Sequence, residues 1–305
     1  MKQNIALVLS GGGARGIAHI GVIEELEKQG FNITSIAGTS MGAVVGGVYA
    51  LGQLQAYKNW LYKIDKLKVF SLIDFTFRSH GLIKGDKLFN SLQSFISDAN
   101  IEDLRIPYAA VAADIINKKE VVFNSGSMYE AVRASIAIPT FFSPVKSGDG
   151  LLVDGGIINN LPIEHVKRNP DDILVVVNVN ALTAVDKPLV SDNRKIAKHS
   201  VYQQKIRNFY RHLYKVKPTS HKERFGYFDV INKTIGLITY RTTQLSLEKY
   251  SPDILINISR ESCSAYDFYK AEEMVKLGKY ATAKSIEAFK GKGKTALPGQ
   301  SQSLP

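Results

Sequence analysis

One cysteine, one tryptophan and six histidines are spread over 305 residues, and these scarcities exclude several kinds of chemistry before any motif is read. A lone thiol, Cys263, can neither close a disulfide within the chain nor build a thiolate metal site. No His-Glu-x-x-His or His-x-His spacing occurs, so neither a metal nor another cofactor is expected. Long uncharged apolar runs are missing as well, and none approaches the roughly 20 residues that span a bilayer. The apolar stretch behind Lys2, Ile5 to Leu9, is too short for the core of a secretory leader and runs straight into a glycine cluster. A cytoplasmic setting is therefore the expectation.

The 45% of hydrophobic residues, with 22% charged, suits one large globular core. Runs that read as strands, Ile5 to Leu9, Ile33 to Ala37, Tyr108 to Ala112, Val121 to Phe123, Leu151 to Val153, Ile173 to Val179 and Ile254 to Ile258, alternate with helical patterns. That alternation implies an α/β fold with a mainly parallel, helix-covered sheet, and ligands on such sheets gather beyond the carboxyl ends of the strands. Residues 1–290 are expected to form one domain. The stretch from Gly291 to Pro305, rich in Lys, Gly, Ser, Gln and Pro, reads as a disordered tail.

Two of those strand ends carry glycine motifs. Gly38-Thr39-Ser40-Met41-Gly42 matches G-x-S-x-G, a sharp strand-to-helix turn on which flanking glycines leave a serine hydroxyl exposed. Ala43, Val44, Val48 and Leu51 supply a helical face behind it, with Gly52 as the stop. A helix beginning just after Ser40 would aim its positive dipole end at the serine oxygen. The other motif, Gly11-Gly12-Gly13-Ala14-Arg15-Gly16, opens a helix expected over Ile17 to Gln29. Consecutive glycines let backbone N–H groups converge on an oxyanion. The same residues satisfy G-x-G-x-x-G, the dinucleotide fingerprint, and would also serve as a plain tight turn. The dinucleotide reading asks for an acidic residue at the end of the second strand, where Gly38 and Ser40 stand instead. A Walker loop is excluded, because no Lys followed by Ser or Thr comes after the last glycine.

A serine nucleophile needs a base, and Val153-Asp154-Gly155-Gly156 offers a carboxylate at a strand end. Asp-Gly is also a common turn dipeptide. To take the serine proton directly, Asp154 must be partly desolvated so that its basicity rises toward the working pH.

In this order the three motifs resemble the patatin-like phospholipases, whose signature joins G-G-G-x-R-G, G-x-S-x-G and D-G-[AG]. The resemblance extends to Ala18-His19-Ile20-Gly21-Val22, to Arg133-Ala134-Ser135-Ile136-Ala137-Ile138-Pro139 and to Asn159-Asn160-Leu161-Pro162, and covers residues 4 to 290, most closely the bacterial intracellular members. It implies a three-layer α/β/α sandwich and a lipid acyl hydrolase of the phospholipase A or lysophospholipase type. It further implies Ser40 as nucleophile and Asp154 as the base of a Ser-Asp dyad. Gly11, Gly12 and Gly13, with Arg15 nearby, would form the oxyanion loop, supported by Gly16, Gly38, Gly42, Gly155 and Gly156. Arg15 would attract a lipid phosphate or serve the first helix structurally.

The residues themselves leave other readings open. A Ser-Asp-His triad is available if His165, His199, His212 or His221 reaches Asp154 in space, although none lies in a motif that would put it there. Transfer of the acyl group to an alcohol, and a non-catalytic lipid- or nucleotide-binding module, also stay open. Of the formal +11 charge, residues 191–250 hold an excess of nine, with thirteen Lys or Arg against four acids. Within that stretch Tyr202, Ile206, Phe209, Leu213 and Val216 recur at helical spacing between basic residues, which suits either a core-packed helix or a landing surface for anionic lipid. Nucleic acid is not an expected partner, since no recognition motif accompanies the charge. Pocket-shaping loops such as Phe70 to Lys87 carry no motif, so head group, acyl position and chain length are not legible.

Overall fold

The computed structural model describes residues 3–72, 86–96, 99–139, 141–185 and 227–295. The apolar runs become strands where expected: β1 Gln3–Leu9, β2 Phe31–Thr39, β3 Tyr108–Asp114, β4 Lys119–Phe123, β6 Gly150–Asp154, β7 Ile173–Ala181 and β8 Ile254–Ser259. A short strand, β5 Val145–Ser147, precedes β6. The described α-helices are α1 Ala18–Lys28, α2 Met41–Ala50, α3 Leu54–Tyr62, α4 Lys66–Leu72, α5 Asp86–Gln93, α6 Met128–Ser135, α7 Tyr227–Tyr250 and α8 Ala271–Thr295.

Five strands, β8-β7-β1-β2-β3, pair in parallel and form the body of the sheet. These strands are buried on both faces, which explains their near-continuous Val, Ile, Leu and Ala composition. Strand alternation then sorts the core. Ile5, Leu7 and Leu9 of β1 face the large cluster under α1, α2 and α8. Ala6 and Val8 face the opposite layer, where Leu161, Ile163 and Val166 pack with Leu247 and Tyr250 of α7. The result is an α/β/α sandwich with one thick and one thin helical layer.

The antiparallel part of the sheet brings the chemistry together. Strand β4 occupies one edge of β3 from Ala110 to Asp114. Strands β2 and β6 must therefore share the other edge, end to end: β2 pairs as far as Thr39 with Val111, and β6 arrives from the opposite direction with Asp154 against Ala112. Ser40, next after Thr39, meets Asp154 at that junction.

Helix α8 runs to Thr295, so the expected boundary at Gly291 falls inside a helix. Lys and Gly alternate there, but one more turn continues the long amphipathic helix; residues 296–305 lie outside the described residues. So do residues 186–226, which hold most of the expected basic amphipathic segment, and residues 73–85 of the stretch without motifs. Among the described residues no helix is long and apolar enough to cross a membrane.

Helices α1 and α8 touch backbone to backbone. A Cβ on Gly21 would collide with the Val275 carbonyl oxygen, and one on Gly278 with that of Ala18. Gly278→Val should therefore cost about 2–3 kcal/mol through forced separation of the two helices. Urea denaturation should show a lower midpoint with an unchanged m-value.

Candidate active site

Ser40 occupies φ 54°, ψ −123°, a positive-φ conformation that a non-glycine residue seldom adopts. It stands at the N-cap of α2, yet its side chain makes no capping hydrogen bond, which leaves the hydroxyl for other work. The tight turn needs its glycines for space. A Cβ on Gly38 would sit 2.5 Å from the Gly42 carbonyl carbon, and one on Gly42 would strike the Leu9 carbonyl oxygen.

The strained serine is pinned from behind. Its backbone N–H donates to Ser135 Oγ at 2.9 Å, and that hydroxyl donates to the Val111 carbonyl at 2.7 Å. Two residues further along, Ala137 does the same for the second strand end: Asp154 N–H donates to the Ala137 carbonyl at 2.9 Å. Both halves of the site thus hang from the C-terminal end of α6.

Asp154 is 7% exposed and accepts the Gly156 N–H at 2.8 Å. Burial pushes its carboxyl up to about 6; the neighbouring Ser40 hydroxyl and the hydrogen bond from the Gly156 amide oppose the rise without cancelling it. Gly155 passes against the Val111 carbonyl, and a Cβ on Gly156 would lie 3.1 Å from Asp154 Oδ1. From the other layer, Thr239 of α7 donates to the Gly156 carbonyl at 2.8 Å. Thr39 donates to the Asn159 carbonyl at 2.8 Å and ties the turn to β2.

The glycine loop lies over the serine. A Cβ on Gly11 would fall 3.0 Å from Ser40 Cβ and 2.8 Å from Asn160 Oδ1. Gly12 packs against Val179 and Gly16 against Met41, while Gly13 turns at φ +57° beside Ala265. Arg15 is engaged elsewhere. Its Nε donates to the Val179 carbonyl at 3.2 Å, Nη1 to that of Cys263 at 3.2 Å, and Nη2 to Asn180 Oδ1 at 2.8 Å. With its guanidinium occupied by three protein acceptors, Arg15 serves as a clamp on the loop, and the expectation that it meets a lipid phosphate is set aside.

The described histidines are committed away from Ser40 and Asp154. His19 hydrogen-bonds the Ser10 carbonyl at 2.8 Å, and His165 lies 3.0 Å from Glu120. His199, His212 and His221 fall outside the described residues. Among the described residues, the group that could hold a cation is Glu120, Glu164 and His165. The Asn159 amide already bridges the two carboxylates, at 2.9 and 3.1 Å.

An apolar cavity of about 780 Å³, counting its open mouth, adjoins the serine. Ser40, Gly13 and Met41 line it together with Val44, Leu61, Ile138 and Phe141, so its chemistry is that of a hydrocarbon slot with a hydroxyl at the wall. Ser135, Asn180, Thr239 and His19 support the site without a sequence signal that assigns those roles.

The elevated Asp154 carboxyl has a consequence for stability. Because its folded pKa, about 6, exceeds the model-peptide value of 3.8, the protonated form favours folding; that contribution is complete below about pH 4 and is lost as pH rises through about 6. Asp154→Asn should then be more stable than the parent at pH 8, by an amount on the order of 2–3 kcal/mol, and the gap should close toward pH 4. Chemical denaturation at the two pH values measures it.

The model of the family described as patatin-like phospholipase matches residues 7–167, a span that includes the glycine loop, Ser40 and Asp154. An uncharacterized NTE family protein of Mycobacterium tuberculosis is 30% identical, covering 94% of this chain and 92% of its own. Lysophospholipase NTE1 of Candida glabrata is 27% identical over 99% of this chain but only 17% of its own length. Patatin-like phospholipase domain-containing protein 6 of the mouse is 32% identical over 63% of this chain and 14% of its own. With a matching family model over more than half the sequence and a near full-length relative, the chain belongs to the patatin-like phospholipase family.

Proposed function

We propose that the chain hydrolyses the acyl ester of a phospholipid or lysophospholipid, with Ser40 as nucleophile and Asp154 as its base. One observation carries this reading: a buried serine side by side with a carboxylate whose basicity burial has raised, at the wall of an apolar cavity. The names of the fungal and mouse relatives, a lysophospholipase and a patatin-like phospholipase domain protein, favour a lipid ester as substrate.

In the proposed cycle, Ser40 Oγ attacks the ester carbonyl carbon while Asp154 takes its proton. Amides of Gly11, Gly12 and Gly13 stabilise the tetrahedral oxyanion, each such donor being worth roughly 3–4 kcal/mol in comparable sites. Protonated Asp154 returns the proton to the departing alcohol, leaving an acyl-enzyme. Water, deprotonated by the same carboxylate, then releases the fatty acid and restores both side chains. A carboxyl near pH 6 is ionised at neutral pH and yet far more basic than an ordinary aspartate, which suits this double duty. The acyl chain occupies the apolar cavity. The basic stretch 191–250 draws the protein to anionic lipid from a cytoplasmic position, and residues up to the end of α8 form the one catalytic domain.

Labelling with a fluorescent fluorophosphonate and fatty-acid release from mixed phospholipid vesicles test the reading together. Ser40→Ala should lose both signals with its fold intact. Asp154→Asn should lose at least about a hundredfold in kcat. In the parent, kcat/KM should rise with pH and level off above about 6, as the base becomes ionised. Absence of labelling in folded parent protein would favour the binding-module alternative, and labelling without release would point to another ester or an acyl acceptor.

The cavity makes a separate demand. Ile138→Trp places extra volume in the slot and should shift preference among p-nitrophenyl esters toward shorter acyl chains, with kcat/KM for the longest chain falling about tenfold or more. An unchanged chain-length profile would remove the cavity from the acyl site.

A further inference from the structure

The glycine loop is held by its carbonyl oxygens. Ser10 C=O accepts from His19 Nε2 at 2.8 Å, and Gly11 C=O accepts from Asn180 Nδ2 at 2.6 Å. In a trans peptide the carbonyl and the following N–H point in opposite directions. A donor that captures the Ser10 carbonyl therefore aims the Gly11 N–H the other way, and one that captures the Gly11 carbonyl aims the Gly12 N–H. Among the described residues no protein acceptor takes the amides of Gly11, Gly12 or Gly13, whereas the Ala14 N–H is already spent on the Ala265 carbonyl at 2.8 Å.

Both anchors are themselves fixed. Asn180 Oδ1 accepts from Arg15 Nη2 at 2.8 Å, which settles the orientation of its amide and leaves Nδ2 for Gly11. Arg15 in turn is tethered to the Val179 and Cys263 carbonyls. His19 is fully buried, and its Nδ1 has no hydrogen-bond partner. A buried imidazole with one orphaned nitrogen costs stability, and the one hydrogen bond that the ring makes goes to the glycine loop's Ser10 carbonyl. Burial lowers its pKa to about 4, against a smaller opposing effect of the Ser10 carbonyl, and the ring stays neutral with Nε2 as the donor at physiological pH.

We infer that His19 and Asn180 are positioning residues of the oxyanion hole, each orienting one peptide plane of the glycine loop so that its N–H faces the ester carbonyl at Ser40. The inference rests on the proposed Ser40-Asp154 chemistry. Neither residue touches substrate; each acts through a backbone amide.

A long-chain trifluoromethyl ketone, which forms a hemiketal oxyanion with a serine nucleophile, separates this role from a general structural one when compared with binding of the free fatty acid. His19→Leu removes one donor, and Asn180→Asp keeps the Arg15 bond but replaces the other donor with an acceptor. Each should lower kcat on a p-nitrophenyl ester about 10- to 100-fold with KM within about twofold. Each should also weaken the ketone about tenfold or more while leaving fatty-acid affinity unchanged. His19→Gln, which restores a donor near the Nε2 position, should recover most of the loss. Folded variants that bind the ketone as the parent does, or that lose ketone and fatty acid equally, would overturn the inference. Should His19→Leu not fold, Asn180→Asp and the His19→Gln comparison decide it. A parent protein that forms no Ser40-dependent ketone adduct would instead overturn the dyad itself, an outcome visible before any anchor is changed.

Discussion

The free edge of β3 is the feature on which the site depends. Strand β4 fills one side of it, so β2 and β6 have only the other side to share, and their ends are brought face to face between Val111 and Ala112. A ladder of main-chain hydrogen bonds sets that meeting, and a slip of one residue in either strand would turn Ser40 or Asp154 to the wrong face. Helix α6 locks the register at the same point, because Ser135 Oγ bridges the Val111 carbonyl and the Ser40 amide while Ala137 takes the Asp154 amide. The strain at Ser40 persists because these bonds over-determine it.

The same sheet holds two carboxylates in contrasting environments. Asp114, at the far end of β3, accepts hydrogen bonds from the Ile116, Asn117 and Leu151 amides and from the Asn117 side chain, which hold its pKa down to about 2. Asp154 sits one alternation away on the partner strand with only the Ser40 hydroxyl and the Gly156 amide against burial, and its pKa goes up to about 6. The first is a staple for the turn beyond β3. The second is kept under-solvated, a condition that weakens the fold slightly and suits proton transfer.

Strands, the serine elbow and the aspartate were legible because each is a local pattern: an apolar run, or glycines at fixed spacing beside one polar residue. Ser135 lies 95 positions from the serine it pins, and Asn180 lies 169 positions from the glycine it anchors. Pairings of that kind leave no periodic trace in a single sequence. The choice between the two roles open to Arg15 was not legible for a related reason, since an arginine beside an anion-binding loop reads the same whether its guanidinium faces substrate or the loop's far side. That the last helix continues past Gly291 was not legible because Lys-Gly-Lys-Gly-Lys is a poor helix composition, and packing of the preceding turns against α1 and β8 outweighed propensity.

Glycine permits the loop over Ser40 without specifying it. Three consecutive glycines give the backbone its close approach, but they also give it the largest conformational entropy to lose on ordering. That loss is offset by bonds from distant elements: Ala265 takes the Ala14 amide, Asn180 and His19 take the carbonyls, and Arg15 ties the loop to β7 and to the segment after β8. The stiffness of the loop is therefore a property of β7, α1 and the residue 263–265 segment rather than of the glycine motif. A change far along the chain, at Asn180 or near Ala265, reaches the serine by loosening peptide planes that the motif alone leaves free to rotate.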